Sequence, residues 1–92
     1  MYSQQMETFI VVAESGSYAK ASEFFGRSET YLKKQVSELE GQLGLALIET
    51  RKDGRVEMTD VGKYIYSEAH HFRSEFDRVL TKARLVQSVV KS

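Results

Sequence analysis

The chain has 92 residues, 41% hydrophobic and 28% charged, enough for one modest hydrophobic core and too little for a core plus a catalytic cleft. It contains no cysteine, which excludes a disulfide framework, a thiolate nucleophile and a cysteine-based zinc site, and leaves a cytoplasmic location as the expectation. Thirteen Lys and Arg balance thirteen Asp and Glu, so any affinity for nucleic acid has to come from where the cations sit and not from bulk charge.

In chain order, the first helix is expected to start after Ser3, whose hydroxyl can cap it, and to carry Met6, Phe9, Ile10 and Ala13 on one face until Gly16 ends it. Ser17 caps a second, short helix with Tyr18, Ala21, Ser22 and Phe25, closed by Gly26; small residues at 19, 21 and 22 allow another helix close approach. After the Gly26-Arg27 turn, Ser28 caps a third helix whose Leu32, Val36, Leu39 and Leu43 recur in steps of four, three and four, with Gly44 as its stop. These four are expected to face inward.

Between Leu45 and Met58 the rhythm changes. Leu47-Ile48 and Val56-Glu57-Met58 read as two short strands, with Asp53-Gly54 at the tip of a tight hairpin. Thr59 is placed to cap a fourth helix, and no proline and, after Gly62, no glycine follows as far as Ser92. That helix can run for about thirty residues, about 45 Å at 1.5 Å per residue. The expected division is a winged helix-turn-helix at 1–60 and a linker or dimerisation helix at 61–92.

Three short helices followed by a two-stranded wing have the layout of a mainly α winged helix-turn-helix, in which the third helix enters the major groove of duplex DNA. With the leucines inward, Thr30, Lys33, Lys34 and Ser37 share the opposite face near the helix start. Ser and Thr can read several bases, Lys can donate to guanine, and Tyr31 offers a ring and a hydroxyl to a thymine methyl or a phosphate. Glu29 can accept from a cytosine amino group but repels phosphate. Arg51, Lys52 and Arg55 surround the wing tip, as suits a finger laid on phosphates. Lys20 and Arg27 add cations at the flanks, and the capping hydroxyls of Ser17 and Ser28 complete the expected DNA-binding set. Read alone, each has an ordinary alternative: a solvated helix face, a Lys34–Glu38 pair four residues apart, a charged hairpin tip kept for solubility.

Phe9-Ile10-Val11-Val12-Ala13-Glu14-Ser15-Gly16-Ser17-Tyr18, then Ala21, Ser28, Leu32, Gln35-Val36, Leu39-Glu40, Leu43-Gly44, Leu47 and Thr59-Asp60-Val61-Gly62 resemble the N-terminal signature of the LysR-type transcriptional regulators. The match covers roughly residues 3 to 66, and the long helix after it resembles that family's linker helix. The resemblance implies sequence-specific DNA binding and transcription regulation in a bacterium. In that family the module precedes a C-terminal effector domain that binds a small molecule, so the chain is either a fragment of a longer regulator or a short stand-alone relative. Some positions depart from the pattern. Glu29-Thr30 stands where the family has Gln-Pro, Lys33 replaces its serine, Ile48 and Thr50 fall at its Phe and Arg, and the wing is one residue longer. Whether Arg51 takes the place of the lost arginine stays open.

On the fourth helix Ile65, Phe72, Val79 and Val86 recur every seven residues, as do Ala69, Phe76, Ala83 and Val90, giving an alternating four-three seam. The seam outruns the globular part, so a second copy of the helix is its expected cover, with Glu68, Arg73, Glu75, Arg78 and Lys82 flanking it. No signal peptide or membrane span is expected, because no basic stretch precedes an apolar run and no eighteen apolar residues occur together. His70 and His71 are adjacent and so point about 100° apart, wrong for one metal, and there is no glycine-rich phosphate loop. Catalysis, a cofactor and a metal are therefore not expected. The alternative function is a winged-helix protein-interaction module that has lost DNA binding, consistent with the zero net charge and with Glu29 on the reading face; a segment working through its coiled coil alone would leave the basic wing tip unexplained.

Overall fold

The structure, a computed structural model, describes residues 3–91 and contains α1 (Gln4–Ser15), α2 (Tyr18–Phe25), α3 (Glu29–Leu43), β1 (Ile48–Thr50), β2 (Val56–Met58) and α4 (Asp60–Lys91). The helix ends follow local chemistry. Ser3, Ser17 and Ser28 each accept a hydrogen bond from the backbone N–H three residues on, at 3.1 Å in all three cases. Gly16, Gly26 and Gly44 each close a helix in the left-handed region, where an L side chain is strained. Thr59 does two jobs: its hydroxyl donates to the Ala46 carbonyl at 2.7 Å and accepts from Gly62 N–H at 2.9 Å, fixing the start of α4 against the segment between α3 and β1.

The core is built around α1. Thr8, Phe9, Ile10, Val11 and Val12 are all buried, a wider arc than the one face its spacing predicts, because α1 is covered on several sides by α2, α3, β2 and the first turns of α4. Tyr18 and Ala21 from α2, Leu32, Val36 and Leu39 from α3, and Leu47 and Val56 from the wing complete it. At roughly 1.5 to 3 kcal/mol for each large apolar side chain, this cluster is the main source of cohesion. Two expectations need correction. Leu43 is 42% exposed; α3 has run past the core by its last turn, so the periodicity continues where the packing has stopped. The first strand is Ile48–Thr50, not Leu47-Ile48; Leu47 is instead a fully buried anchor whose carbonyl accepts from Thr59 N–H at 3.0 Å.

The strands pair antiparallel with Ile48 opposite Met58, Glu49 opposite Glu57 and Thr50 opposite Val56. Asp53 and Gly54 lie at the tip of the hairpin as expected, in a three-residue loop: Gly54 N–H donates to Arg51 O at 3.0 Å, Arg51 N–H donates to Arg55 O at 2.7 Å, and Gly54 has φ +88°. The second strand is also stitched to the α1–α2 turn, where Val56 N–H donates to Gly16 O at 2.9 Å and Ser17 bridges to Arg55.

Helix α4 runs 32 residues without interruption and gives the molecule its 58 Å length. Gly62 is what lets it approach the wing, since a Cβ there would overlap the Leu47 carbonyl. Ile65, Tyr66 and Ala69 pack against the core, and two polar contacts brace α4 on α1: the Tyr66 hydroxyl donates to Glu14 at 2.8 Å and Arg73 lies 3.8 Å from Glu7. Among the described residues no helix is long and apolar enough to cross a membrane.

Candidate nucleic-acid interface

Burial of Leu32, Val36 and Leu39 turns Thr30, Lys33, Lys34 and Ser37 to solvent on the far side of α3, as their spacing requires. Glu29, the first residue of the helix, is exposed beside them. Lys33 extends over the Tyr18 ring, 5.6 Å from its centroid, so the start of α2 is a platform for a lysine of α3. Tyr18 is itself largely buried, which pushes its hydroxyl up to about 12, with the Glu40 carboxylate adding to the shift. It stays neutral beneath Lys33 at physiological pH. Lys34 sits 4.0 Å from Glu38, and with a side chain 75% exposed that pair is weak enough to be exchanged for another anion.

Around the same helix start, Arg27 lies over the Tyr31 ring at 4.8 Å. The turn that presents it is held by the Ser22 hydroxyl, which donates to the Arg27 carbonyl. The Ser17 and Ser28 hydroxyls are spent on capping, where they accept from Lys20 and Tyr31 N–H. Their part in any interface is to aim the helix starts, with remaining lone pairs or the O–H free for a further bond. Lys20 is exposed on α2.

The wing is placed relative to α3 by a residue that sequence reasoning left in the signature without a role. One carboxylate oxygen of Glu40 accepts from Leu47 N–H at 2.7 Å and Ile48 N–H at 3.2 Å, tying the last turns of α3 to the start of β1. The tip arginines are not free. Arg51 donates to Glu57 at 2.6 Å and Arg55 to Asp53 at 2.8 Å, while among the described residues no ion pair engages Lys52. Spacing alone could have flagged the Asp53–Arg55 pair, two residues apart; the Arg51–Glu57 pair needs the hairpin register. Contacts thus join Ser17, Tyr18, Lys33 and Arg55 into one continuous surface, with Arg27 and Tyr31 on the other flank of the α3 start. Lys20 and Lys52 stand apart from those contacts.

The seam on α4 divides. Ile65 and Ala69 are half-buried against their own core. Phe72, Phe76, Val79, Ala83, Val86 and Val90 are exposed, from 53% at the two phenylalanines to 78% at Val90 among the large ones. Phe72 and Phe76 stack on each other at 6.4 Å with planes 3° apart. His70 and His71 are exposed, His70 stacked on Tyr66.

A helix-turn-helix whose second helix presents lysines, continued by a wing with arginines at its tip, defines the winged helix-turn-helix class. The model of the bacterial regulatory helix-turn-helix proteins of the lysR family matches residues 3–63, and the chain belongs to that family. It is 35% identical over 79 residues to the HTH-type transcriptional regulator PtxR of Pseudomonas aeruginosa, covering 86% of this chain and 25% of PtxR. It thus spans about a quarter of the curated relatives it matches. Among solved structures it is similar to the BenM DBD in complex with catB site 1 DNA, with a TM-score of 0.85 at 27% identity, covering 96% of this chain and 94% of that one. It is similar also to the CbnR DBD in complex with DNA, with a TM-score of 0.81 at 29% identity, covering 94% and 98%.

Proposed function

We propose that this chain binds specific sites on duplex DNA as a homodimer and serves as the DNA-binding unit of a bacterial transcription regulator, acting without catalysis and in the cytoplasm. The observation that carries the reading is the continuous surface of α3, the α2 start and the wing, in a fold that superimposes along nearly its whole length on DBDs in DNA complexes. In this reading α3 enters the major groove, where Thr30, Lys33, Lys34 and Ser37 meet base edges and Glu29 accepts from a cytosine amino group. Arg27, Tyr31, Lys20 and the helix starts at Ser17 and Ser28 meet phosphates at the flanks. Arg51, Lys52 and Arg55 lay the wing along the backbone, fixing register without reading sequence.

The division of labour follows 1–60 for DNA and 61–92 for the linker helix, in which pairing falls to the part beyond Ala69. The distal seam of α4 pairs with that of a second copy, and side-chain size favours an antiparallel match. Centred between Asp77 and Arg78, it sets Phe72 against the partner's Ala83, Phe76 against the partner's Val79, and Glu75 against the partner's Lys82, so that large faces small and charges oppose. A parallel match would set phenylalanine on phenylalanine and alanine on alanine. A small-molecule effector belongs to the reading where a C-terminal domain accompanies the chain.

The test is a binding-site selection from random duplexes on wild type and Lys33→Ala at one salt concentration. Wild type is expected to enrich inverted half-sites separated by about 10 bp or a multiple. Lys33→Ala should lose about 1 to 3 kcal/mol on the preferred site and relax one position per half-site symmetrically. An unaltered motif would make Lys33 a backbone contact, and no enrichment for wild type would favour the protein-interaction module.

A further inference from the structure

The wing carries its charge on one face. Strand alternation sends Ile48, Val56 and Met58 toward the core and leaves Glu49, Arg51, Arg55 and Glu57 on the solvent side. The register puts Glu49 directly opposite Glu57, a like-charge pair that by itself loosens a hairpin. Arg51 relieves it: its Nη2 donates to Glu57 Oε1 at 2.6 Å, with both side chains about half exposed. That hydrogen bond holds the Glu57 carboxyl below the usual carboxylate range and keeps Arg51 protonated even more firmly than usual. At the tip, Asp53 pairs with Arg55, accepting from its Nε at 2.8 Å and from its backbone N–H at 3.0 Å. Two of the three wing-tip cations therefore meet any outside anion with a carboxylate already in place.

We propose that Glu57 occupies Arg51 as an internal stand-in for a DNA phosphate and so sets how hard the wing grips any duplex. The inference rests on the reading that the wing meets phosphates. An ion pair this exposed is weak, so a phosphate displaces it and does not find it closed. Displacement leaves Glu57 unpaired beside Glu49 and near the DNA backbone, where it gathers a cation from solution just as Arg51 releases one from the DNA. The counterion gain from that contact is cancelled. The wing then adds less to affinity, and less to salt dependence, than its cations would by count, and sequence reading by α3 carries a larger share of the binding.

The experiment measures dissociation constants on a nonspecific duplex from about 50 to 200 mM salt for wild type, Glu57→Gln, Glu49→Gln, Arg51→Ala and Arg51→Ala/Glu57→Gln. Glu57→Gln should tighten binding about threefold to fivefold and steepen the log–log salt slope by about one unit. Glu49→Gln takes the same charge from the same face without touching the Arg51 hydrogen bond, so it should move affinity less and leave the slope alone. With Arg51 already alanine, Glu57→Gln should leave the slope unchanged. Both Gln variants relieve the Glu49–Glu57 repulsion and are expected to fold, which a thermal melt confirms. Equal effects of Glu57→Gln with and without Arg51, or an unchanged slope, would overturn the proposal while leaving DNA binding intact. A wild type without salt-dependent duplex binding would overturn both, and the wild-type curve alone separates the two failures.

Discussion

From Gly62 to Ala69, α4 spends its apolar side on its own chain: Gly62 admits the Leu47 carbonyl, Ile65 and Ala69 pack on the core, and Tyr66 reaches Glu14 on α1. From Phe72 onward the same four-three seam continues in the same helix, and its large members are more than half exposed. Nothing in the residue types marks the change. An apolar stripe states that a helix face needs cover; how far along the helix its own core supplies that cover depends on the tertiary packing. The proximal half should therefore answer to folding at any concentration, and the distal half to association.

The largest contrast is expected at Phe76. Phe76→Ala should remove about 3 to 5 kcal/mol from the dimer. Monomer stability should change by no more than about 0.5 kcal/mol, because half the ring is already in water. Sedimentation of both proteins at matched concentration reads the first, and denaturation of dilute samples the second; a wild type that stays monomeric at high micromolar concentration would sink the seam. The double variant Phe72→Cys/Ala83→Cys sharpens it further, since antiparallel pairing predicts oxidised dimers from the double variant and little from either single one.

Gly62→Ala tests the proximal half. Alanine is the better helix former by about 1 kcal/mol, yet its Cβ would meet backbone at Leu47, which cannot rotate away. The net expectation is a loss of about 1 to 3 kcal/mol at every concentration. For a domain of this size that lowers Tm by roughly 4–8 °C per kcal/mol. An unchanged melt would mean that the approach of α4 to the wing is looser than described.

The smallest effect is at the brace between α4 and α1. Tyr66→Phe should cost about 0.5 to 1 kcal/mol near neutral pH by removing the hydrogen bond to Glu14. That bond raises the Tyr66 hydroxyl above its usual value of 10.0. A group whose pKa is raised by folding stabilises fully below its unfolded pKa and loses that contribution as pH climbs through the folded one. The difference between wild type and Tyr66→Phe in urea midpoint should therefore shrink between about pH 8 and about pH 11. A gap that stays constant across that range would remove Tyr66 as the brace.

Much of this was readable without coordinates because it is local. Ser3, Ser17 and Ser28 cap what they precede, and Gly16, Gly26 and Gly44 end what they follow. Both are properties of a few adjacent residues. The outward set Thr30, Lys33, Lys34 and Ser37 follows from the inward set Leu32, Val36 and Leu39 by helical geometry alone, and the seam on α4 follows from its period. The resemblance added the family. The misplaced features have separate causes: Leu43 keeps its helical phase after the core has ended, and Leu47 is a buried anchor ahead of the strand whose carbonyl accepts from Thr59.

The sequence by itself determined the elements, their order and most of the faces they present, since each depends on periodicity, capping and turn chemistry within short stretches; the family came from the resemblance to a signature. Tertiary structure alone decided that Tyr18 lies beneath Lys33, that Glu40 ties α3 to β1, and that Glu57 takes Arg51. It also decided that the α4 seam passes from core to surface after Ala69. The reason is physical: partners in these contacts lie 6 to 15 residues apart or on different elements. Their meeting depends on hairpin register and helix crossing, which no single stretch of chain encodes.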